Sequence, residues 1–285
     1  MSSTERHITA AARGRFLIPL AWCAGLQVAV LFVRIGPADW FTWDFVSPLS
    51  AMTMGAGYLG GLAMLAAAIR LRRWVDVRVA YVSTLLLMVL LLAVTVRYRG
   101  RTHLGGGDIV AFGYAWGWLL VHVAAVVVGV ILLAGQLRAP GRPSRRAEPR
   151  VWFTVLPVAV VAVIGGGIGL LALLFPLRLA EHWPWSVSEL DVSALGGWAL
   201  VFGVGSALAI REGDPDRQRA GAISYLVAGL AAVIAMLRYA GEVDWSSAYA
   251  WMYLLAMIAL TLTGAVGWLM AGPAELWTSP RRVVQ

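Results

Sequence analysis

Long apolar stretches separated by short polar segments recur eight times along this chain. A helix crossing a bilayer needs roughly 20 consecutive apolar residues, because its backbone amides must be satisfied without water. The stretches that meet this requirement are Phe16–Ile35, Pro48–Ile69, Val79–Val96, Ile109–Ala134, Val151–Phe175, Val192–Ile210, Ala220–Leu237 and Ala248–Met270. The third and seventh are the shortest. The pattern predicts an all-α integral membrane protein with eight transmembrane helices.

A second periodicity lies over the first. At a constant offset of 141 residues, Gly55 matches Gly196, Ile69-Arg70 matches Ile210-Arg211, and Arg78 matches Arg219. Ser83 likewise matches Ser224, and Arg97-Tyr98-x-Gly100 matches Arg238-Tyr239-x-Gly241. Farther on the offset becomes 135, and Tyr114-Ala115-Trp116 recurs as Tyr249-Ala250-Trp251. The spans therefore read as two four-helix repeats, 16–135 and 151–271. Four is even, so both repeats have one orientation, the parallel type related by an axis along the membrane normal. Between them, 136–150 carries Pro140, Pro143 and five arginines and reads as a linker.

Composition agrees with the pattern: 60% of residues are hydrophobic and 13% charged, with no lysine, and mean hydropathy is +0.76. The net charge of +8 would suggest nucleic acid if it were clustered on one soluble face. Instead it follows the loops. With both termini in the cytoplasm, 17 of the 23 basic residues fall on the inner side, as the positive-inside rule requires. The expected location is a bacterial cytoplasmic membrane, with tails 1–15 and 272–285 inside. Membrane lipids are the expected surroundings, and no nucleic-acid partner is expected. Arg6, Arg13 and Arg15 before the first span imitate a secretory signal, but no small-residue cleavage site follows, so the segment reads as a span.

Several chemistries lack their residues. Without lysine there is neither a retinal Schiff base nor a Walker A phosphate loop. Cys23 is the only cysteine, which leaves no internal disulfide and no CxxC site. His122 alone among the four histidines lies deep in a span, and its repeat mate is Met257. A bis-histidine haem or a metal cluster therefore has no ligand set, and neither a cofactor nor a metal is expected. His122 reads as an intramembrane polar residue packed and hydrogen-bonded to a neighbouring helix. No carboxylate is placed well inside a span, which disfavours a proton-coupled pump.

Polar groups gather instead at the outer ends. Asp44, Asp108, Glu189 and Asp191 precede or open spans, Arg97-Tyr98 and Arg238-Tyr239 close two others, and Trp43 and Trp185 stand nearby. Most such residues in membrane proteins form the interfacial aromatic belt or snorkel to headgroups. Their repetition in both halves supports a candidate outer vestibule between the repeats, with arginines paired to carboxylates of neighbouring helices. Three GxxxG spacings, Gly57/Gly61, Gly113/Gly117 and Gly165/Gly169, suggest close helix packing within the chain, or a homodimer contact.

The run Ser47-Pro48-Leu49-Ser50-Ala51, followed by Gly55-x-Gly57-Tyr58, Arg72-Arg73-Trp74 and Arg78, resembles polytopic membrane proteins of unassigned activity from high-GC bacteria such as actinobacteria. The resemblance covers the second and third spans and implies no activity. Three functions are open: a small permease or binding protein for an apolar or amphipathic molecule between the repeats; a structural or accessory subunit of a larger membrane complex; and a membrane-embedded lipid-modifying enzyme using His122 or the outer carboxylates.

Overall fold

The computed structural model describes residues 5–33, 40–141, 152–214 and 216–271. The linker beyond Gly141 and the tail 272–285 lie outside the described residues. Among the described residues, eight helices are long and apolar enough to cross a membrane. They are α1 (Ala10–Val33), α2 (Pro48–Arg70), α3 (Trp74–Arg97) and α4 (Ile109–Arg138), then α5 (Trp152–Leu174), α6 (Glu189–Glu212), α7 (Arg219–Arg238) and α8 (Ala248–Met270). The chain is an all-α, multi-pass membrane protein. Among the described residues no strand forms; an isolated antiparallel bridge joins His7 to Arg73.

Helix starts are written locally. Ser47, Asp108 and Ser247 each accept a bond from a first-turn amide of the helix that follows, and Ser188 forms a reciprocal capping box with Asp191. α6 stops at Gly213, whose φ of 66° is the left-handed conformation that glycine adopts without steric cost. In α1 the turn Arg13–Leu17 is widened to a π-helical one just before Pro19. Proline lacks an N–H and crowds the carbonyl four residues back, and the wider turn accommodates both.

Several boundaries depart from the apolar pattern: α1 starts at Ala10, not Phe16, α4 runs on to Arg138, and α6 starts at Glu189, not Val192. α3 starts at Trp74, not Val79, so Asp76 and Arg78 are helical and α3 has 24 residues. Charge enters the helix because it is paired: Arg73 Nε donates to Asp76 Oδ2 at 2.7 Å, and an acidic group in a first turn complements the helix dipole.

Helices α2, α3, α6 and α7 form the centre, while α5 and α8 present most of their surface outward. α2 packs along α7, and α3 along α6; α1 lies on α2, α4 on α3, α5 on α6 and α8 on α7. Two of the three GxxxG spacings lie against α6. A Cβ on Gly169 would come within 2.3 Å of the Leu200 amide nitrogen of α6, and one on Gly57 within 2.8 Å of the Trp198 ring. Gly113 and Gly117 lie exposed on α4 with open space beside them.

Hydrogen bonds sort the helix ends into two sets. One end collects His7, Thr9, Arg73, Gln136, Glu212 and Arg219 and is rich in arginine. The opposite end collects Trp43, Ser47, Tyr98, Trp185, Ser193 and Glu242 and is rich in tryptophan.

Candidate functional site

At the tryptophan-rich end the two halves are clasped by neutral donors. Trp43 Nε1 donates to Asp191 Oδ1 of α6 at 3.2 Å, and Trp185 Nε1 donates to Ser50 Oγ of α2 at 2.9 Å. Each half thus sends one indole to the second helix of the other, and the two acceptors stand 141 positions apart. Asp191 is fully buried and also accepts from the amides of Ser188 (3.0 Å) and Val46 (3.5 Å). Ser47 Oγ donates to Glu242 Oε2 at 3.0 Å, and the Tyr98 and Ser193 hydroxyls meet at 3.3 Å. Phe41, Trp43 and Trp118 pack edge to face behind this layer. The result is a packed layer across the interface.

The arginine-rich end is joined by ions. Arg217 bonds Glu212 at 3.3 Å and Asp214 at 3.1 Å, Arg78 also reaches Glu212, and Arg73 holds Asp76. Arg217, Glu212, Asp214 and Asp76 are all buried. Burial of an ion is tolerated only with a partner and further hydrogen bonds, and here three guanidinium groups meet three carboxylates.

Between these ends lies a cavity of about 280 Å³, lined by all eight helices. That is near the lower bound of sites that hold small organic ligands, roughly 300–1,000 Å³. Its walls are mostly apolar, from Leu20, Met64, Leu87, Met88 and Val201 among others, with Asp76 and Arg217 toward the arginine-rich end. A run of aromatic rings follows one side. His122 stacks on Trp118 at 4.2 Å, Tyr58 lies 6.2 Å from Trp118 and 5.0 Å from Trp198, and Phe202 and Tyr225 continue the series.

Polar atoms in this wall divide into satisfied and unsatisfied. Tyr114 donates to Gln27 Oε1 at 2.6 Å, Tyr225 bonds Ser206 and the Phe202 carbonyl, and Trp118 Nε1 donates to Thr95 Oγ1 at 3.0 Å. His122 Nδ1 lies 2.8 Å from the Trp118 carbonyl. A carbonyl only accepts, so the ring proton is on Nδ1 and Nε2 keeps its lone pair. That Nε2, the Tyr58 and Ser83 hydroxyls and Trp198 Nε1 are buried without a hydrogen-bond partner, and all four residues line the cavity. Each such group costs about 1–3 kcal/mol if left unmade.

Of the residues expected at an outer vestibule, Trp43, Trp185, Tyr98 and Asp191 are brought together, but as buried members of the clasp. Arg97 is exposed and donates to the Leu173 carbonyl at 2.7 Å, a backbone acceptor in place of the expected carboxylate. Its counterpart Arg238 lies over the Tyr239 ring at 5.6 Å. Asp44 sits 3.5 Å from His103, Glu189 is 3.5 Å from Arg101, and Asp108 caps α4. The cavity wall was hidden from sequence reasoning apart from His122. Tyr58 and Ser83 stood inside quoted patterns, but nothing along the chain marked their hydroxyls as unpaired.

Among the described residues no group of three or more His, Cys, Asp or Glu is arranged to hold a metal ion. Compared with known proteins, the chain matches no family model, no curated protein and no solved structure. Fold and site together define the class: a multi-pass membrane protein of eight apolar helices with an internal cavity bounded by a neutral clasp and an ionic one.

Proposed function

We propose that this chain is a small permease or binding protein that holds an apolar or amphipathic molecule in the cavity between two four-helix units. The observation that carries the reading is one mostly apolar cavity of about 280 Å³ to which all eight helices contribute, with polar residues such as Gln27, Tyr114 and His122 in its wall. An apolar wall with a few convergent polar groups is the usual make-up of a ligand site. In this reading the arginine-rich end faces the cytoplasm of a bacterial cell, following the distribution of basic residues. Arg97, Tyr98, Arg238 and Tyr239 then rim the outer face above the tryptophan clasp.

The doubling read from sequence is supported by positions. α2 and α6 begin 141 residues apart, α3 and α7 end 141 apart, and the cross-half pairs α2 with α7 and α6 with α3 exchange under that offset. Sites at the interface of such repeats suit alternating access, with each end closing in turn. The neutral clasp and the ionic clasp are the two closures.

The test is to purify the full chain in lipid nanodiscs, extract what accompanies it and identify the molecules by mass spectrometry. Each fraction of the native membrane lipids is then added back, and the unfolding midpoint is followed. The reading expects an amphipath recovered in stoichiometric amount and a raised midpoint on its return. Recovery of a stoichiometric protein partner with no bound amphipath, and no shift from any fraction, would instead identify an accessory subunit.

A further inference from the structure

We infer that the arginine-rich end carries one site for an anionic phospholipid, where Arg6, Arg13, Arg72 and Arg138 of the first half hold the phosphate of a bilayer lipid. The site is separate from the cavity, so its failure leaves the proposed binding function standing.

Three segments meet there. The N-terminal segment runs antiparallel to the turn between α2 and α3: the Ile8 amide donates to the Arg72 carbonyl and the Trp74 amide to the Arg6 carbonyl, both at 2.9 Å. The same segment is fixed to the last turn of α4. There the fully buried Gln136 accepts from the Thr9 amide at 2.8 Å and donates to the His7 carbonyl at 2.9 Å. Past α4 the chain turns back onto the N-terminal segment, since a Cβ on Gly141 would come within 2.7 Å of Arg6 Cα. Two pairs of arginines are thereby set on one junction. Arg6 reaches the Leu137 carbonyl, next to Arg138, at 3.2 Å, and Arg13 reaches the Leu71 carbonyl, next to Arg72, at 2.8 Å.

The charge of this junction is not balanced within it. A carbonyl accepts a hydrogen bond but brings no negative charge, so Arg6 and Arg13 keep theirs. Arg72 and Arg138 are exposed, and their side chains form no ion pair or hydrogen bond among the described residues. The carboxylates of the three segments, Glu5 and Asp76, both go to Arg73, at 4.0 and 2.7 Å. The second half does not repeat the excess. At the offset of 141, Gly213 stands for Arg72 and Asp214 for Arg73, and Asp214 and Glu212 hold Arg217. The consequence is one site per chain, in spite of the doubled helices.

The four arginines stand at the ends of membrane-spanning helices, the level at which headgroups lie and where anionic lipids attract basic residues. A planar guanidinium can bond two phosphate oxygens at once. The helices that carry the junction also expose Ile18 and Trp22 on α1 and Ile131 and Leu137 on α4, apolar surface for acyl chains. A choline headgroup sets its own cation beside the phosphate and offsets the attraction. A glycerol headgroup does not, so phosphatidylglycerol is the fitting occupant.

The test titrates dioleoylphosphatidylglycerol or dioleoylphosphatidylcholine into the full chain in neutral detergent and counts adducts by native mass spectrometry. One phosphatidylglycerol should bind per chain, at a concentration about fivefold or more below that needed for phosphatidylcholine. Arg72→Gln and Arg138→Gln remove side chains that hold no bond within the described residues. The unfolding midpoint without lipid should therefore stay unchanged, while affinity for phosphatidylglycerol falls about fivefold for each arginine lost. Arg211→Gln, in the second half at the same end, and Arg99→Gln, at the opposite end, remove the same charge from exposed positions. Both should leave the adduct as it is.

Equal binding of the two lipids, or two equivalent adducts per chain, overturns the assignment. So does a loss of affinity in Arg211→Gln or Arg99→Gln equal to that in Arg72→Gln, or unchanged affinity in both Arg72→Gln and Arg138→Gln. Inorganic phosphate at the same concentration as the lipid should not displace it. Displacement would overturn the bilayer as the source and leave an anion site open to solution.

Discussion

The tryptophan-rich end joins the halves mainly through buried indole and hydroxyl donors, with the ion pair Arg101–Glu189 beside them, whereas at the arginine-rich end Arg78 crosses to Glu212 within a buried ion cluster. Rigid planar rings fill space as they bond: Trp43 stands edge to face against Trp118 at 5.7 Å, and the layer is packed. Arginine side chains are long and reach their partners from a distance, so Arg217 and Arg78 converge on Glu212 while open volume remains on the membrane side of the cluster. A membrane bundle can thus close one end mainly with packed rings and the other mainly with ion pairs, leaving a cavity between them.

The largest expected effect tests the neutral end. Asp191→Ala deprives Trp43 Nε1 and the Ser188 amide of their acceptor in a fully buried setting. It should lower unfolding stability by about 4 kcal/mol in a detergent-mixture titration, at the additive cost of buried unsatisfied donors. Asp191→Asn keeps one carbonyl acceptor and should recover about half of the loss. At the ionic end, Arg217→Ala leaves Asp214 and Glu212 short of a partner, although Glu212 keeps Arg78. A loss of about 3 kcal/mol is expected by the same titration.

Gly57→Ala probes the space between the ends. Its new Cβ would meet the Trp198 ring at 2.8 Å, and such overpacking costs about 1–3 kcal/mol. The loss is read as a lowered unfolding midpoint, and because Trp198 and Cys23 line the same cavity, the displaced indole should also change the rate at which N-ethylmaleimide alkylates Cys23. The smallest effects belong to the rim. Arg97→Ala gives up a bond to the Leu173 carbonyl at 2.7 Å and should cost about 1 kcal/mol. Arg238→Ala loses a stack over Tyr239 at 5.6 Å and should cost about 0.5 kcal/mol. Equal effects at these two arginines would mean that both halves hold them alike.

Local signals carried most of the fold. Ser47, Asp108 and Ser247 cap their helices through amides two residues away, and α8 spans Ala248–Met270 as its apolar run predicts. The start of α3 was misplaced because hydropathy counts Asp76 and Arg78 as loop formers, whereas their partners Arg73 and Glu212 neutralise them in place. The outer polar residues were visible as a group, but their openness was not. Trp43 and Asp191 are 148 residues apart in the chain, and only their contact shows that the group is packed.

By itself, then, the sequence determined that the chain carries eight apolar helices able to span a membrane and, through local caps, where several of them begin. Those properties follow from hydropathy and from bonds between residues within a few positions of each other. Tertiary structure alone decided which side chains are left without a partner. Tyr58 and Tyr225 look alike in sequence, yet Tyr225 reaches Ser206 and the Tyr58 hydroxyl reaches nothing. Whether a buried hydroxyl is satisfied depends on the atoms that distant helices bring beside it, and that is settled by packing rather than by its neighbours along the chain.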